Sequence, residues 1–453
     1  MPAAIDRDRL AAVRAREDAA FERRTPRSAA LVERARRSMP DGVPMAWMAG
    51  LYGHPPLFVA HGAGCRFTDV DGNEYVDFNL ADLSAPSGFA PPVVLEAIEQ
   101  RAARGLQFLL PVEEAIEAAE LLAERYGLPA WQFTLTASGA NAEVIRLARH
   151  RTGRDTIVVF GGHYHGHIDD TLVEGDEHGA RPELLGVNPH AAASTRVVPF
   201  NDVGALERVL GREQVAAVIT EPALTNAGVV LPADGFHAGV RALTREHGAL
   251  LVLDETHTQS FAYGGLTRLW GLEPDVLTLG KSTAGGIPIG GYGMTHDLRD
   301  WMERHRDNYV GEAGLATGGT TYANPLSLAA AVANLRHVQT PAAFERIAAL
   351  GARLADGIDA AVSRVGLPWR AQRLGPRSGY TLEPSHPRDG GEAYRSLDVP
   401  LIDARRVHMA NRGVWEAIAS AGPTVGFAHR LGDVDSYLGA LEAFLFDVCE
   451  GAP

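Results

Sequence analysis

Short apolar runs alternate with helix-like stretches between residues 131 and 281, and this alternation constrains the fold more than any other feature of the sequence. The runs are WQFTLTAS, DTIVVF, VAAVITEP, ALLVLDE and DVLTLGK, and the helix-like stretches include ANAEVIRLARHRTG and residues 235–247. Unbroken aliphatic runs are typical of strands that are buried on both faces. The pattern therefore predicts an α/β domain over residues 80–335, with a mostly parallel sheet covered by helices on both faces.

The flanking segments predict a second, smaller α+β domain that is built from both termini. Residues 1–79 contain a charged, exposed helix and then an alternating stretch, 57–78, around Asp71-Gly72-Asn73, which predicts a small antiparallel meander. Helical periodicity at residues 92–107 and 112–126 then marks the beginning of the large domain. Residues 336–453 predict a long helix, short strands near 370–383, a Pro/Gly-rich surface loop at 384–400 and a final helix pair.

Composition and charge exclude several classes of protein. The chain of 453 residues is 46% hydrophobic and has a net charge of −14 without a dense run of Lys or Arg, which argues against nucleic acid or membrane as partners. Cys65 and Cys449 cannot form a disulfide framework and have no metal-binding spacing, so a reducing compartment is expected. The N-terminal residues contain no apolar core of a signal or membrane span, and the expected location is the cytoplasm.

Lys281 follows the apolar run Val276–Leu279, which predicts a position at the carboxyl edge of the sheet. Open α/β folds bind their ligands at this edge. A half-buried amine there loses solvation and becomes nucleophilic near neutral pH, as imine formation with a carbonyl cofactor requires. The alternative is a solvated lysine at the start of a loop.

Asp254 ends the run ALLVLDE, and a carboxylate behind a buried strand is costly unless it meets a cation or a proton. One interpretation is the metal-holding acid of a nucleotide triphosphatase. However, Gly280-Lys281-Ser282 supplies only the tail of the phosphate-binding motif, with Asp275 where its first glycine belongs. The other interpretation pairs Asp254 with the ring nitrogen of a pyridine cofactor, which is the electron-sink arrangement of pyridoxal phosphate.

Two further strand ends carry residues that could contact such a cofactor. Residues 136–141, TASGAN, join a strand to a helix, and the small residues let main-chain N–H groups approach a phosphate; a simple helix cap is the alternative. The stretch GGHYHGH, residues 161–167, has three alternating histidines that suggest a metal site, although the stretch itself contains no carboxylate or thiolate to complete the ligand set. Tyr164 could instead lie flat on a pyridine ring or be an ordinary strand tyrosine.

Together these stretches resemble the class III, fold-type I aminotransferases, and within them the branch of glutamate-1-semialdehyde aminomutase. The resemblance covers most of the chain and runs in order through DVDGNEYVDF, ASGANAEVIRLAR, GGHYHGH, EPALTN, LLVLDETHT, LTLGKSTAGGIPIGGYG and GGTTYANP. It implies a fold-type I pyridoxal phosphate (PLP) transferase with a sheet of seven strands. It also implies pyridoxal 5'-phosphate as cofactor and a homodimer with shared active sites.

The resemblance further implies roles for individual residues. Lys281 would be the imine lysine and general base, and Asp254 the partner of the pyridinium. The other implied cofactor contacts are Ser138, Gly139 and Ala140 in the phosphate turn, Tyr164 stacked on the ring, Asn226 at the phenolic oxygen, Thr256 on the other ring face, and Gly319 and Thr320 at the phosphate of the neighbouring subunit.

Four positions depart from the pattern of the aminomutase. The phosphate turn reads Ser-Gly-Ala-Asn-Ala instead of Ser-Gly-Thr-Glu-Ala, and no arginine follows Gly42-Val43 to clamp a substrate carboxylate. The position of the pocket tryptophan falls on Asp82, and that of the acidic gate residue on Ala421. Glutamate 1-semialdehyde is therefore not the expected substrate.

These departures favour an aminotransferase that moves an amino group from an amine or amino acid to a keto or aldehyde acceptor. It would work in two half-reactions, with lysine-bound and pyridoxamine forms of the cofactor, and an aminomutase or epimerase is the alternative. Asp82, Trp47 and His257 are candidate substrate contacts. A helix cap is the alternative for Asp82, and core or surface positions are the alternatives for Trp47 and His257.

Overall fold

The computed structural model describes residues 4–51, 53–307, 314–418 and 421–449. Contacts divide the chain into a terminal unit, residues 1–91, 342–387 and 394–453, and a central unit, residues 92–341 and 388–393. The sequence analysis placed these boundaries near residues 80 and 335. No helix in the described part of the chain is long and apolar enough to cross a membrane.

The strands are β1 (Val59–Ala63), β2 (Arg66–Asp69), β3 (Glu74–Asp77), β4 (Ala130–Thr134), β5 (Thr156–Phe160), β6 (Val173–Asp176), β7 (Gly179–Pro182), β8 (Thr195–Val198), β9 (Val215–Thr220), β10 (Leu250–Asp254), β11 (Val276–Leu279), β12 (Gly290–Met294), β13 (Arg370–Leu374), β14 (Arg377–Thr381) and β15 (Val414–Trp415).

The helices are α1 (Arg7–Arg24), α2 (Pro26–Ala35), α3 (Trp47–Gly50), α4 (Leu80–Leu83), α5 (Pro92–Ala102), α6 (Glu113–Tyr126), α7 (Ala137–Thr152), α8 (Pro189–Ala193), α9 (Val203–Arg212), α10 (Phe236–His247), α11 (Gly265–Leu269), α12 (His296–Arg304), α13 (Pro325–Ala333), α14 (Pro341–Arg364), α15 (Gly390–Arg395), α16 (Val399–Ala410) and α17 (Leu431–Val448). Single 3-10 turns lie at Pro40–Gly42, Thr258–Ser260 and Lys281–Ala284, and a π-helical turn lies at Asn334–Val338.

The central unit contains the predicted mostly parallel sheet. It has seven strands in the order β4-β12-β11-β10-β9-β5-β8, and β12 alone runs antiparallel to both of its neighbours. The five runs seen in the sequence are all strands of this sheet. The sequence analysis did not predict β12, because its text, GGYGM, is rich in glycine. A Cβ atom at Gly290 would lie 2.2 Å from the carbonyl oxygen of Thr136, so only glycine allows this strand to lie so close.

The terminal unit contains the predicted meander β1-β2-β3, which gains β15 as a fourth strand beside β3. The prediction of an exposed N-terminal helix was wrong, since α1 buries Leu10, Val13 and Phe21. The apolar stripe is short and arginines surround it, so periodicity alone did not reveal it. The predicted loop at 384–400 contains helix α15, which was also missed.

Helix α4 of the terminal unit is a left-handed turn. Its four residues, Leu80–Leu83, have φ angles between +49° and +63°, which costs energy for side chains other than glycine. The carboxylate of Asp77 accepts hydrogen bonds from the amides of Asn79, at 2.7 Å, and Ala81, at 3.1 Å. Burial raises the pKa of Asp77 to about 6 even though these hydrogen bonds favour the anion. One buried acid thus holds the turn that carries Asp82.

Candidate active site

The ends of strands β9, β10 and β11 bring the predicted catalytic residues to one edge of the sheet. The three strands are parallel neighbours, and Asp254 at the end of β10 pairs with Thr278 of β11. Lys281 follows Thr278 by three residues and begins a 3-10 turn. The carboxylate and the lysine therefore occupy adjacent strand ends, as their positions in the sequence predicted.

The main chain at Lys281 is held in a strained conformation. Its φ of +37° lies in the left-handed region, which is rare for a residue with a long side chain. Gln259 donates from Nε2 to the carbonyl oxygen of Gly280 at 2.8 Å. On the other side, Asn334 donates from Nδ2 to the carbonyl oxygens of Ser282, at 2.9 Å, and Thr283, at 3.0 Å. Buried amide side chains thus fix the lysine turn before and after the lysine.

Lys281 is also the only lysine in the chain. The 42 cationic residues counted as Lys and Arg comprise this lysine and 41 arginines. The sequence analysis chose Lys281 from its position behind a strand and did not use this count. A simple count would have pointed to the same residue, because a chain that needs one lysine for imine chemistry can lack lysine elsewhere.

Asp254 is buried, with 3% of its surface exposed, and three donors hold its carboxylate. Oδ2 accepts from Nδ2 of Asn141 at 2.8 Å and from Nδ1 of His165 at 2.9 Å, and Oδ1 accepts from the amide of Thr256 at 2.9 Å. Burial alone would raise the pKa of Asp254, but the hydrogen bonds from His165 and Thr256 outweigh it and lower the pKa to about 2. Asp254 is therefore an anion at neutral pH.

The carboxylate of Asp254 has room for one more donor. A carboxylate offers about four lone-pair positions, and the described residues fill two on Oδ2 and one on Oδ1. The remaining position on Oδ1 and the stable negative charge fit a cationic N–H group, such as a protonated pyridine nitrogen.

Two glycines let neighbouring loops close on the N-terminus of α7, which is the predicted phosphate turn. Thr136 caps this helix by accepting the amide of Gly139 at 3.1 Å. A Cβ atom at Gly280 would lie 2.7 Å from the Cβ of Ala137, and one at Gly166, where φ is +103°, would lie 2.3 Å from Oγ of Ser138. The loops after β5 and β11 thus meet the positive end of the 16-residue helix, where an anion is stabilised.

Comparison with known proteins identifies the family. The model of the family described as aminotransferase class-III matches residues 48–367. The chain belongs to the class-III aminotransferase family. Its sequence is 35% identical over 437 residues to a glutamate-1-semialdehyde 2,1-aminomutase from Chloroflexus aggregans, with 92% of this chain and 97% of the relative covered.

Solved structures agree with this assignment. A glutamate-1-semialdehyde-aminomutase from Pseudomonas aeruginosa PAO1, crystallised in complex with PMP, matches with a TM-score of 0.93 and 38% identity over 98% of this chain and 99% of that one. An omega-transaminase from Sphaerobacter thermophilus matches with a TM-score of 0.85 and 29% identity, covering 93% and 97%. The fold is that of fold-type I enzymes, and the cofactor of this class-III chain is pyridoxal phosphate, as predicted.

The comparisons correct the predicted activity. The prediction of an aminotransferase with a substrate other than glutamate 1-semialdehyde was wrong, because relatives with 35–38% identity over most of the chain are named aminomutases. That prediction relied on a missing clamp arginine, on Asp82 and on Ala421, each located by counting along the sequence. Such counting does not detect a pocket residue contributed by another segment, so similarity over the whole class-III chain carries more weight.

Two of the three histidines of GGHYHGH, His163 and His165, make contacts with protein groups in this class-III chain. Nδ1 and Nε2 of His163 lie 2.7 and 2.8 Å from the carbonyl oxygens of Phe160 and Thr171. The ring of His163 stacks on that of His165, with 5.0 Å between centroids, and His165 binds Asp254. The carboxylate that His165 contacts could not be identified from the local sequence, because Asp254 is 89 residues away along the chain.

The other predicted cofactor residues differ in exposure and in their position along the chain. Tyr164, which lies between His163 and His165 in the sequence, has a side chain that is 43% exposed. The hydroxyl of Thr256 is buried and has no hydrogen-bond partner among the described residues. Asn226 lies in the segment after β9, while Gly319 and Thr320 are exposed before α13.

The predicted substrate residues lie in different parts of the class-III chain. His257 follows β10, and its Nδ1 lies 2.8 Å from Oγ1 of Thr225, which donates to Oε2 of Glu221 at 2.5 Å. This chain of contacts links the segment after β9 to the segment after β10. Trp47, which is 50% exposed, and Asp82 belong to the terminal unit, and their contact with substrate stays a prediction.

Proposed function

We propose that this chain is a pyridoxal phosphate-dependent aminomutase, an isomerase that moves an amino group between adjacent carbon atoms of one substrate. Similarity to relatives named glutamate-1-semialdehyde 2,1-aminomutase, over as much as 93% of the chain, supports this most strongly. Glutamate 1-semialdehyde is therefore the first candidate substrate. The amino group on C2 and the oxygen on C1 exchange places, so an α-amino aldehyde becomes an α-amino ketone. Atoms and overall oxidation state are conserved, and no second substrate is consumed.

When bound, pyridoxal phosphate supplies an electron-withdrawing ring that stabilises negative charge on the substrate carbon attached to it. In this proposal Asp254 keeps a proton on the ring nitrogen, because its anionic carboxylate has one acceptor position left on Oδ1. A neutral side chain at this position would not hold that proton. Asp254 thus determines how strongly the ring withdraws electrons.

Lys281 has two roles in this proposal. Its Nζ binds the cofactor aldehyde in the resting enzyme, and the same amine, once released, moves protons at the substrate carbons. Both roles need the amine at a fixed place. The strained main chain at Lys281 and the side chains of Gln259 and Asn334 support this requirement.

The remaining predicted residues orient the cofactor in this proposal. The N-terminus of α7, with Ser138, Gly139 and Ala140, binds the phosphate through main-chain amides and the helix dipole. Tyr164 and Thr256 contact the two faces of the ring, and Asn226 donates to its phenolic oxygen.

We also propose a homodimer, in which Gly319 and Thr320 contact the phosphate in the neighbouring subunit. The segment after α5 supports an interface, because it exposes four large apolar side chains close together in the sequence. These are Leu106 at 55%, Phe108 at 45%, Leu109 at 73% and Leu110 at 73% exposure. A contiguous apolar surface of this kind is typical of a protein interface.

The test is an assay of purified holoenzyme with glutamate 1-semialdehyde in the absence of keto acid and of other amines. The expected result is complete conversion to an amino ketone of unchanged mass over many turnovers. Chromatography separates the product from the substrate, and mass spectrometry checks that the mass is unchanged. The Lys281→Ala variant is the control for uncatalysed isomerisation. Conversion only on addition of a keto acid, or no conversion above this control, would overturn the proposal.

A further inference from the structure

Asn141 makes contacts that a phosphate turn does not require. It lies in the first part of α7 with 1% of its surface exposed, and its side chain is directed to the acid instead of to the helix terminus. Nδ2 donates to Oδ2 of Asp254 at 2.8 Å and to the carbonyl oxygen of His165 at 2.9 Å. An amide nitrogen has only two hydrogens, so both are used.

The orientation of this amide follows from its neighbours. The two groups that Nδ2 faces, a carboxylate and a carbonyl oxygen, can only accept hydrogen bonds, so the opposite orientation would place Oδ1 against two other oxygens. Oδ1 is instead buried with no partner among the described residues. Nε2 of His165 is likewise buried with no partner among the described residues, while Nδ1 faces Asp254 at 2.9 Å.

We propose that Asn141 is a positioning residue that holds the carboxylate of Asp254 in place for the ring nitrogen of the cofactor. It does so as a neutral double donor, with one hydrogen on the carboxylate and the other on the main chain of His165. The inference rests on the role of Asp254 in the proposed function.

Replacement by aspartate tests the charge of this residue at nearly constant shape. Asn141→Asp removes both N–H donors and places a second carboxylate next to Oδ2 of Asp254. Two buried carboxylates at such a distance cannot both be ionised near neutral pH. They therefore share one proton. Asp254 would then hold the proton of the ring nitrogen less well, and the main chain of His165 would lose its tie to α7.

Two measurements on the full-length protein report this effect. The first is the dissociation constant of pyridoxal phosphate, from an absorbance titration of apoenzyme. The second is the pH at which the visible absorbance band of the holoenzyme has completed half of its change with pH, called the midpoint below. For Asn141→Asp we expect an affinity loss of about ten-fold or more, the equivalent of a lost charge-assisted hydrogen bond, and a shifted midpoint. Asn141→Ala adds no charge and should change both in the same direction by less.

The chain provides a matched control in Asn411 of the terminal unit. Its Nδ2 also donates to a carbonyl oxygen and to a carboxylate oxygen, both of Glu17, at 2.8 and 2.7 Å. Asn411→Asp should leave the dissociation constant and the midpoint unchanged, with circular dichroism as the test of folding for each variant.

The outcomes separate this inference from the proposed function. If Asp254→Asn changes both readouts while folded Asn141→Asp and Asn141→Ala match the parent protein, the inference fails and the role of Asp254 stands. If Asp254→Asn changes neither readout, the role of Asp254 fails and the inference fails with it. If Asn141→Asp does not fold, Asn141→Ala decides, and parental values of both readouts in that variant overturn the inference.

Discussion

Gln259 donates a hydrogen bond from Nε2 to the carbonyl oxygen of Gly280 at a distance of 2.8 Å. Gly280 immediately precedes Lys281, whose φ of +37° is unfavourable for a lysine. Gln259 is buried, with 4% of its surface exposed, and its Oε1 lies 2.8 Å from the hydroxyl of Thr283. One side chain therefore spans the turn that positions the amine of Lys281.

Replacing Gln259 with leucine should misplace this amine without removing it. The substitution leaves the carbonyl of Gly280 without its side-chain donor, and the strained turn can relax. We expect activity to fall by about ten-fold to a hundred-fold, the range for a misplaced reacting group. The measurement is kcat together with the rate at which added pyridoxal phosphate develops the visible band. Gln100→Leu, an exposed change on α5, is the control, and equal kinetics of both variants would contradict the expectation.

Borohydride reduction should attach the cofactor to one residue only. Because Lys281 is the only lysine, reduction of the holoenzyme should add a single cofactor mass to the peptide that contains it. The Lys281→Ala variant should show no visible band from lysine-bound cofactor and no such peptide. Peptide mass spectrometry checks both statements, and cofactor mass elsewhere in a folded variant would refute the assignment.

The stability of the terminal unit should depend on pH through Asp77. Burial raises its pKa from about 3.8 to about 6, so the folded state binds this proton more tightly than the unfolded state. The stabilisation is complete below pH 4 and is lost as the pH rises to 6, and its upper bound is about 3 kcal/mol. The Asp77→Asn variant has no carboxyl group at this position and therefore lacks this pH-dependent stabilisation.

Urea unfolding at several pH values isolates the contribution of Asp77. The free energy of unfolding of the parent protein, minus that of Asp77→Asn, should decrease between pH 4 and pH 7. The subtraction cancels other titrating groups, such as His429, whose pKa burial lowers to about 4. Parallel stability profiles for the two proteins would show that Asp77 does not titrate in this range.

Charges in the apolar segment after α5 should weaken the proposed homodimer. Leu109 and Leu110 are each 73% exposed, and in an interface two glutamates would be desolvated without partners. For the double variant Leu109→Glu, Leu110→Glu, size-exclusion chromatography with light scattering should show a monomer fraction that grows on dilution. Leu185→Glu is the matched control, since this leucine is fully exposed and should tolerate a charge. A dimer of unchanged stability would contradict the proposed interface.

The strand ends could be predicted from sequence because they follow from local pattern. Lys281 and Asp254 each follow an unbroken aliphatic run, and parallel strands place such ends together. The partners of Asp254 could not be predicted in this way. Asn141 is 113 residues from it along the chain, and helical phase directs the amide of Asn141 to the acid, although its sequence position suggested only a phosphate turn.

The error about the activity has a related cause. Asp82 was interpreted as a replacement for a pocket tryptophan, but the structure places it in a left-handed turn that no local pattern indicates, since Leu80, Ala81 and Leu83 all disfavour positive φ. Where the main chain takes an unusual path, counting from a distant glycine does not say which side chain reaches a pocket.

The absence of any second lysine also has a practical consequence. With guanidinium groups supplying the other permanent side-chain cations, Lys281 and the chain terminus are the expected amine targets of aldehydes or acylating reagents. A carbon-13 methyl label introduced by reductive alkylation would then yield one side-chain resonance. That resonance would report the side-chain nitrogen of Lys281 directly, without any engineered probe.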